Sequence, residues 1–293
     1  MSPVAYAEIA VILGALAYSA LRRAMLSLTL AFAILLVFFL DYASSTFWNG
    51  PYLSELAWVS IPGGYASPPW TVLTTIFVHA GPTHLMFNLL GFLLITPLLE
   101  ERIGSLRWGL VFFLGALVGQ LAFWLVRSDT AFALVGASGG LMSVLGAFAR
   151  LYPRERITLF LPIPGMPTVP VIWLAIGFLL FSFVLVSGSP GGVANEAHLA
   201  GIAFGFAGVP LIMRVPGQRR AKASRIDPAA LEPLATTREL RQILDELRAA
   251  DVPEVRDAWL EKFAAKGRCP DCRGPLRLRR GSLSSKCGWR LPR

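Results

Sequence analysis

Seven runs of apolar residues divide most of this sequence, at 4–21, 24–40, 84–99, 108–126, 138–151, 170–186 and 197–213. A helix that crosses a bilayer needs about 20 mostly apolar residues, with roughly 17 as the lower end. The chain is therefore expected to be an all-α polytopic membrane protein. The run from 138 is short by this standard, which suits a helix lined by protein rather than lipid. The run at 4–21 carries Glu8, and only Arg22-Arg23 separates it from the next. It reads as an extra N-terminal hydrophobic helix, either spanning or lying at the interface. Apolar residues make up 55% of the 293, and charged residues 15% against about 25% in soluble domains. The net charge of +9 reads as the Lys/Arg excess of cytoplasmic loops rather than as a nucleic-acid surface, so no nucleic acid is expected as a partner. No cleavable leader pattern precedes the first run. All three cysteines fall between 269 and 287, which leaves no disulfide framework in the membrane part.

Loop charge orients the spans. Arg22, Arg23, Arg102, Arg107, Arg150, Arg154 and Arg156 lie on one side, with the tail residues Arg214, Arg219, Arg220, Lys222 and Arg225. The other side has Arg127 with Asp41, Glu55, Asp129 and Glu196. The first set is expected to face the cytoplasm, which makes the C-terminus cytoplasmic in a multi-pass protein of the cell membrane. The loop at 41–69 then faces out. In this orientation Ser138, His198 and the pair His84/Asn88 all begin the outer ends of their helices and share one depth.

Ionisable groups inside a membrane are costly and point to function by default. His79, His84 and His198 all lie at or within spans. Structural hydrogen bonding and a metal site are the competing readings, but no HExxH arrangement or adjacent carboxylate favours metal. His84 and Asn88 are four apart, so they share one helix face and suit either an oxyanion or interhelical hydrogen bonds. Ser138 stands in Gly136-Ala137-Ser138-Gly139-Gly140, which by itself reads as a packing motif. His198 opens a helix carrying Gly201 and Gly205, a small-xxx-small face. Packed on Gly139, Ser143 and Gly146 of the Ser138 helix, that face would bring a hydroxyl and an imidazole together. Glu196, two residues from His198, points elsewhere on a helix, so a dyad is expected rather than a triad. No intramembrane acidic pair and no internal repeat are apparent, which disfavours a transporter or channel.

The segments 79-HAGPTHLMFN-88, 136-GASG-139 and 197-AHLAG-201 with Gly205 together resemble the rhomboid family of intramembrane serine proteases, as does 100-EERIGS-105. The resemblance runs from about 24 to 213. It implies a six-helix core, Ser138 as nucleophile and His198 as base. It implies an oxyanion site of His84, Asn88 and the Ser138 N–H, and a structural role for His79. Single-span transmembrane proteins would be the substrates, within the lipid bilayer and with no catalytic cofactor. A pseudoprotease that binds membrane helices without cutting them is the alternative. Met142 departs from the family, which usually has an aromatic residue there.

The tail reads as a basic linker at 215–235, a helical segment at 236–266 and a zinc-ribbon-like end at 267–293, behind an N-terminal helix at 1–23 and a membrane core at 24–214. Leu240, Ile243, Leu244 and Leu247 mark one amphipathic helix. Val255, Trp259, Leu260 and Phe263 mark a second, and the two suit a hairpin. Cys269-Pro270-Asp271-Cys272 is half of a zinc knuckle; with Cys287 it forms a candidate Zn site, and Ser284 stands where a fourth thiolate belongs.

Overall fold

In the computed structural model the described residues are 1–47, 54–158, 168–188, 194–216, 226–249, 253–279 and 282–291. Every apolar run is helical. α1 (Pro3–Arg22) starts where the Ser2 hydroxyl accepts the Ala5 N–H and ends at Arg23 in the left-handed region, φ 55°. α2 spans Leu26–Phe47. A short α3 (Thr71–Thr74) runs into a 3₁₀ turn, Thr75–Phe77. α4 (Pro82–Leu94) and α5 (Thr96–Ile103) divide the run expected at 84–99. Pro97 explains the division, because its ring removes a donor and clashes with the carbonyl four residues back. α6 (Ser105–Arg127), α7 (Ser138–Leu151), α8 (Val171–Gly188) and α9 (Asn195–Ile212) follow.

Among the described residues, Pro3–Arg22, Leu26–Phe47, Pro82–Ile103 and Ser105–Arg127 are long and apolar enough to cross a membrane. Exposed Phe32, Phe39, Phe87, Leu121, Trp124 and Trp173 give their helices the apolar outer surface that lipid requires. The chain is an all-α polytopic membrane protein. α7 has only 14 residues, about 21 Å at 1.5 Å per residue, and would not reach across a ~30 Å hydrocarbon core. Its burial supplies the reason: residues 143–149 are all buried, so protein and not lipid surrounds it.

Helix ends are tied by polar groups. At one end, Glu100 accepts the backbone N–H groups of Leu26 (2.7 Å) and Ser27 (2.8 Å), which caps α2, and also the Ser105 hydroxyl (2.5 Å). A carboxylate at a helix N-terminus satisfies orphan donors and faces the positive end of the dipole. At the other end, strand β1 (Trp58–Ser60) pairs antiparallel with β2 (Phe132–Leu134). β3 (Arg156–Thr158) pairs in the same sense with β4 (Thr168–Pro170) beside α8.

Two expectations are corrected here. Asp41 is not in a loop, because α2 continues to Phe47. An acidic pair also exists: Glu8 of α1 is fully buried, and its carboxyl lies beside that of Asp41. Ser54 Oγ donates to Glu8 Oε2 at 2.5 Å. The two residues are 33 positions apart, so helical spacing held no trace of their meeting.

Met1–Gln218 and Arg219–Arg293 form two units. The second holds a 3₁₀ stretch Pro228–Leu234, then α10 (Arg238–Ala249) and α11 (Pro253–Lys266). Leu240, Ile243, Leu244 and Leu247 of α10 are buried in one cluster with Leu260 and Phe263 of α11. The side chain of Val255 lies outside the described residues. A hairpin of β5 (Arg277–Arg279) and β6 (Ser282–Ser284) completes the unit.

Candidate active site

Three helices meet through glycine. A Cβ added at Gly205 would overlap the Ser143 carbonyl, one at Gly201 the Gly139 carbonyl, and one at Gly146 the Ile202 carbonyl. α7 and α9 therefore touch backbone to backbone, closer than any side chain permits. α6 joins them with a pair that spacing alone offered and that the sequence reading missed. A Cβ on Gly115 would overlap the Ser143 side chain, and one on Gly119 would come 2.7 Å from the Ala197 carbonyl. Ser143, wholly buried, donates its hydroxyl to the Val111 carbonyl of α6 at 2.8 Å. Gly139 behaves differently from its partners, because a methyl there would find ordinary contacts at 3.8 Å. Its contribution is the carbonyl that faces Gly201.

This packing sets the central distance. Ser138 Oγ, on the first residue of α7, lies 2.7 Å from His198 Nε2 in the first turn of α9. Both residues are half-buried. Glu196 turns away to the Arg127 guanidinium, 2.7 Å distant, which leaves a two-residue arrangement. Met142, one turn below Ser138, is partly buried against the core.

A loop network holds the turn before Ser138. Thr75, fully buried, donates its hydroxyl to the Leu134 carbonyl and accepts the Trp58 N–H at 3.2 Å. Its own carbonyl accepts the Gly136 N–H at 3.0 Å. Gly136 has φ +114°, a conformation that L side chains rarely adopt. A Cβ there would also lie 2.7 Å from Cε1 and Nε2 of His84. His84 thus packs on bare backbone two residues before Ser138. Neither Thr75 nor the role of Gly136 was legible in the sequence, since both depend on a contact between distant loops.

Asn88, buried one turn deeper in α4, donates its amide to the His84 carbonyl at 2.9 Å. His79 is buried just before α4, with its ring 4.9 Å from that of His84. His84 thus lies between Asn88 and His79 and is the one of the three that reaches the Ser138 turn. Ser138 opens α7, so its N–H is among the first-turn donors that have no acceptor within a helix.

In the second unit, Cys269, Cys272 and Cys287 present their sulfurs within 4.8 Å of one another, and this is the metal-capable cluster found among the described residues. Ser284 does not join it, since its hydroxyl donates to the Arg277 carbonyl at 3.5 Å. Ser285 does, with Oγ 3.3 Å from Cys272 Sγ. Hydrogen bonding from Ser285 and Cys287 holds the Cys272 thiol down at about 6.

A Rhomboid domain model matches residues 66–215, a stretch that contains Thr75, His84, Ser138 and His198. The chain is 32% identical over 170 residues to Rhomboid-related protein 2 of Mus musculus, covering 53% of this chain and 54% of that protein. It is 30% identical over 153 residues to RHOMBOID-like protein 5 of Arabidopsis thaliana, covering 50% and 45%. With Rhomboid protease GluP of Bacillus subtilis (strain 168) the identity is 28% over 137 residues, 47% of this chain and 25% of the relative. The chain spans about half the length of the first two relatives and a quarter of the third. With the domain match covering half of its residues and the helical membrane architecture around them, the chain belongs to the rhomboid family.

Proposed function

We propose that this chain is an intramembrane serine endopeptidase that cleaves single-span membrane proteins with a Ser138–His198 dyad near the outer face of the bilayer. The observation that carries the reading is the 2.7 Å approach of Ser138 Oγ to His198 Nε2 across two helices packed through glycine. A relative named as a rhomboid protease supports the reaction class. In the first step the Ser138 hydroxyl donates to His198 Nε2 and gives up its proton as Oγ attacks the scissile carbonyl. The oxyanion forms between the Ser138 N–H and the His84 ring, and Asn88 joins them by releasing its bond to the His84 carbonyl. His198 then protonates the leaving amine, and water from the outer side hydrolyses the acyl-enzyme. His79 acts through His84 as a structural partner. No cofactor enters these steps.

The distribution of arginine supports a cell-membrane orientation with the C-terminal unit in the cytoplasm. The proposed organisation is a helix at 1–23, a core at 24–214, a linker at 215–235, helices at 236–266 and the cysteine-bearing end at 267–293. Transmembrane protein substrates and the lipid bilayer are the partners.

Protein reconstituted in liposomes is expected to cleave a single-span substrate, and Ser138→Ala and His198→Ala are each expected to abolish cleavage. Labelling of Ser138 by a fluorophosphonate separates a protease from a pseudoprotease that only binds helices. Full cleavage by the Ser138→Ala protein would refute the assignment. Asn88→Ala is expected to lower turnover by ~10²-fold, in keeping with loss of one oxyanion donor.

A further inference from the structure

The second unit, Arg219–Arg293, carries a cysteine cluster that proteolysis at Ser138 does not use. We infer that Cys269, Cys272 and Cys287 bind a zinc ion whose fourth coordination position lies at Ser285 and is open to exchange. Zinc holds thiolates at about 2.3 Å in a tetrahedron, which places neighbouring sulfurs about 3.8 Å apart. Cys269 Sγ and Cys287 Sγ stand 3.6 Å apart, and all three sulfurs lie within 4.8 Å. The three cysteines are free thiols. An oxygen ligand at about 2.0 Å would sit about 3.5 Å from a neighbouring sulfur, and Ser285 Oγ is 3.3 Å from Cys272 Sγ.

The backbone explains why position 285 and not 284 faces the site. In the first knuckle, Cys269 N–H donates to the Gly274 carbonyl (2.9 Å) and Arg273 N–H donates to the Cys269 carbonyl (3.0 Å). In the second, Ser285 N–H donates to the Trp289 carbonyl (3.0 Å) and Gly288 N–H donates to the Ser285 carbonyl (3.2 Å). The second turn is therefore one residue tighter, closed by Gly288 at φ 93°, and it begins at Ser285. Ser284 stays in β6, paired with Arg277 across the hairpin.

A neutral serine oxygen is a weak zinc ligand. Three protein ligands with a water at the fourth position is the arrangement that leaves zinc able to exchange. Arg273 and Lys286, each next to a ligand in sequence, offset the negative charge of a three-thiolate zinc centre. Cys269 is buried among Leu276 and Leu283 of the same cluster, so bound metal would anchor both knuckles to the α10–α11 core.

The test uses the full-length protein, purified in detergent under reducing conditions, loaded with zinc and desalted. Elemental analysis is expected to find about one zinc per chain, lost in Cys272→Ser. Transfer of zinc to a chromophoric chelator gives the affinity. Ser285→Cys supplies a fourth thiolate and is expected to tighten binding at least about tenfold, while Ser284→Cys leaves it unchanged. Cobalt substitution of the unmutated protein gives thiolate-to-metal absorption without relying on any variant. Absence of zinc and of that absorption from the unmutated protein overturns the site. Tightening by Ser284→Cys and not by Ser285→Cys overturns the placement of the fourth position.

Discussion

The α6–α7–α9 trio and the α1–α2 pair are held together by opposite means. In the trio, glycines let backbones touch, and the polar groups that matter are carbonyls facing Cα atoms. In the pair, the contact includes two carboxyls, Glu8 and Asp41, and the Ser54 hydroxyl. The first arrangement tolerates almost no added volume, because a backbone carbonyl cannot swing aside as a side chain can. The second tolerates volume but needs its hydrogen bonds, because a buried polar group left without a partner is costly. The Ser138–His198 distance rests on the first kind of contact. The seat of α1 on α2 rests on the second.

The largest effect is expected where that comparison is sharpest. Gly205→Val drives side-chain atoms into the Ser143 carbonyl and is expected to cost about 3 kcal/mol or more, read as loss of folded protein in thermal denaturation and loss of cleavage. Gly139→Ala, on the facing helix, is expected to shift stability by less than about 1 kcal/mol. Equal damage from the two would contradict the view that Gly205 needs its missing side chain where Gly139 does not.

Next comes Gly136→Ala, which strains a positive φ and presses on His84. If His84 is the oxyanion donor proposed above, kcat is expected to fall by about tenfold or more, while KM for the substrate changes little. Unaltered kcat would mean that His84 is not positioned by this turn.

In the α1–α2 pair, Glu8→Ala leaves the buried Ser54 hydroxyl without its acceptor and is expected to cost about 1–3 kcal/mol, with Glu8→Gln costing less. Denaturation midpoints in one detergent compare the two, and a Glu8→Gln loss as large as that of Glu8→Ala would show that shape rather than hydrogen bonding holds the pair. The smallest effect is expected from Met142→Phe. Exchange of a flexible thioether for a ring of similar size should move stability by less than about 1.5 kcal/mol, measured by the same midpoints, and a much larger loss would mean the space beside α7 is already full.

Much of the membrane fold could be read locally. The 138–151 run coincides with α7, whereas Arg127 and Glu196, read as loop charges, end α6 and open α9 as an ion pair. His84 and Asn88 share one face of α4, because an i, i+4 pair needs only the helix. The misses share one cause. Asp41 joined a helix and met Glu8, Thr75 tied β1 to the 134–136 segment, and Ser285 replaced Ser284 at the cysteines. Each depends on which loop meets which, at separations that no periodicity encodes.

By itself, the sequence determined how many apolar segments the chain has, where its arginines cluster between them, and that Ser138 and His198 head their helices. Length, hydrophobicity and charge act within one segment, so they are legible there. The tertiary structure alone decided that α6 closes the trio, that the Gly139 carbonyl and not its missing side chain meets α9, and that a bare Gly136 gives His84 its seat. Those outcomes are set by how closely separate backbones approach. That distance is fixed only when all of the helices are in place, because close-packed interiors leave no slack for one of them to adjust alone.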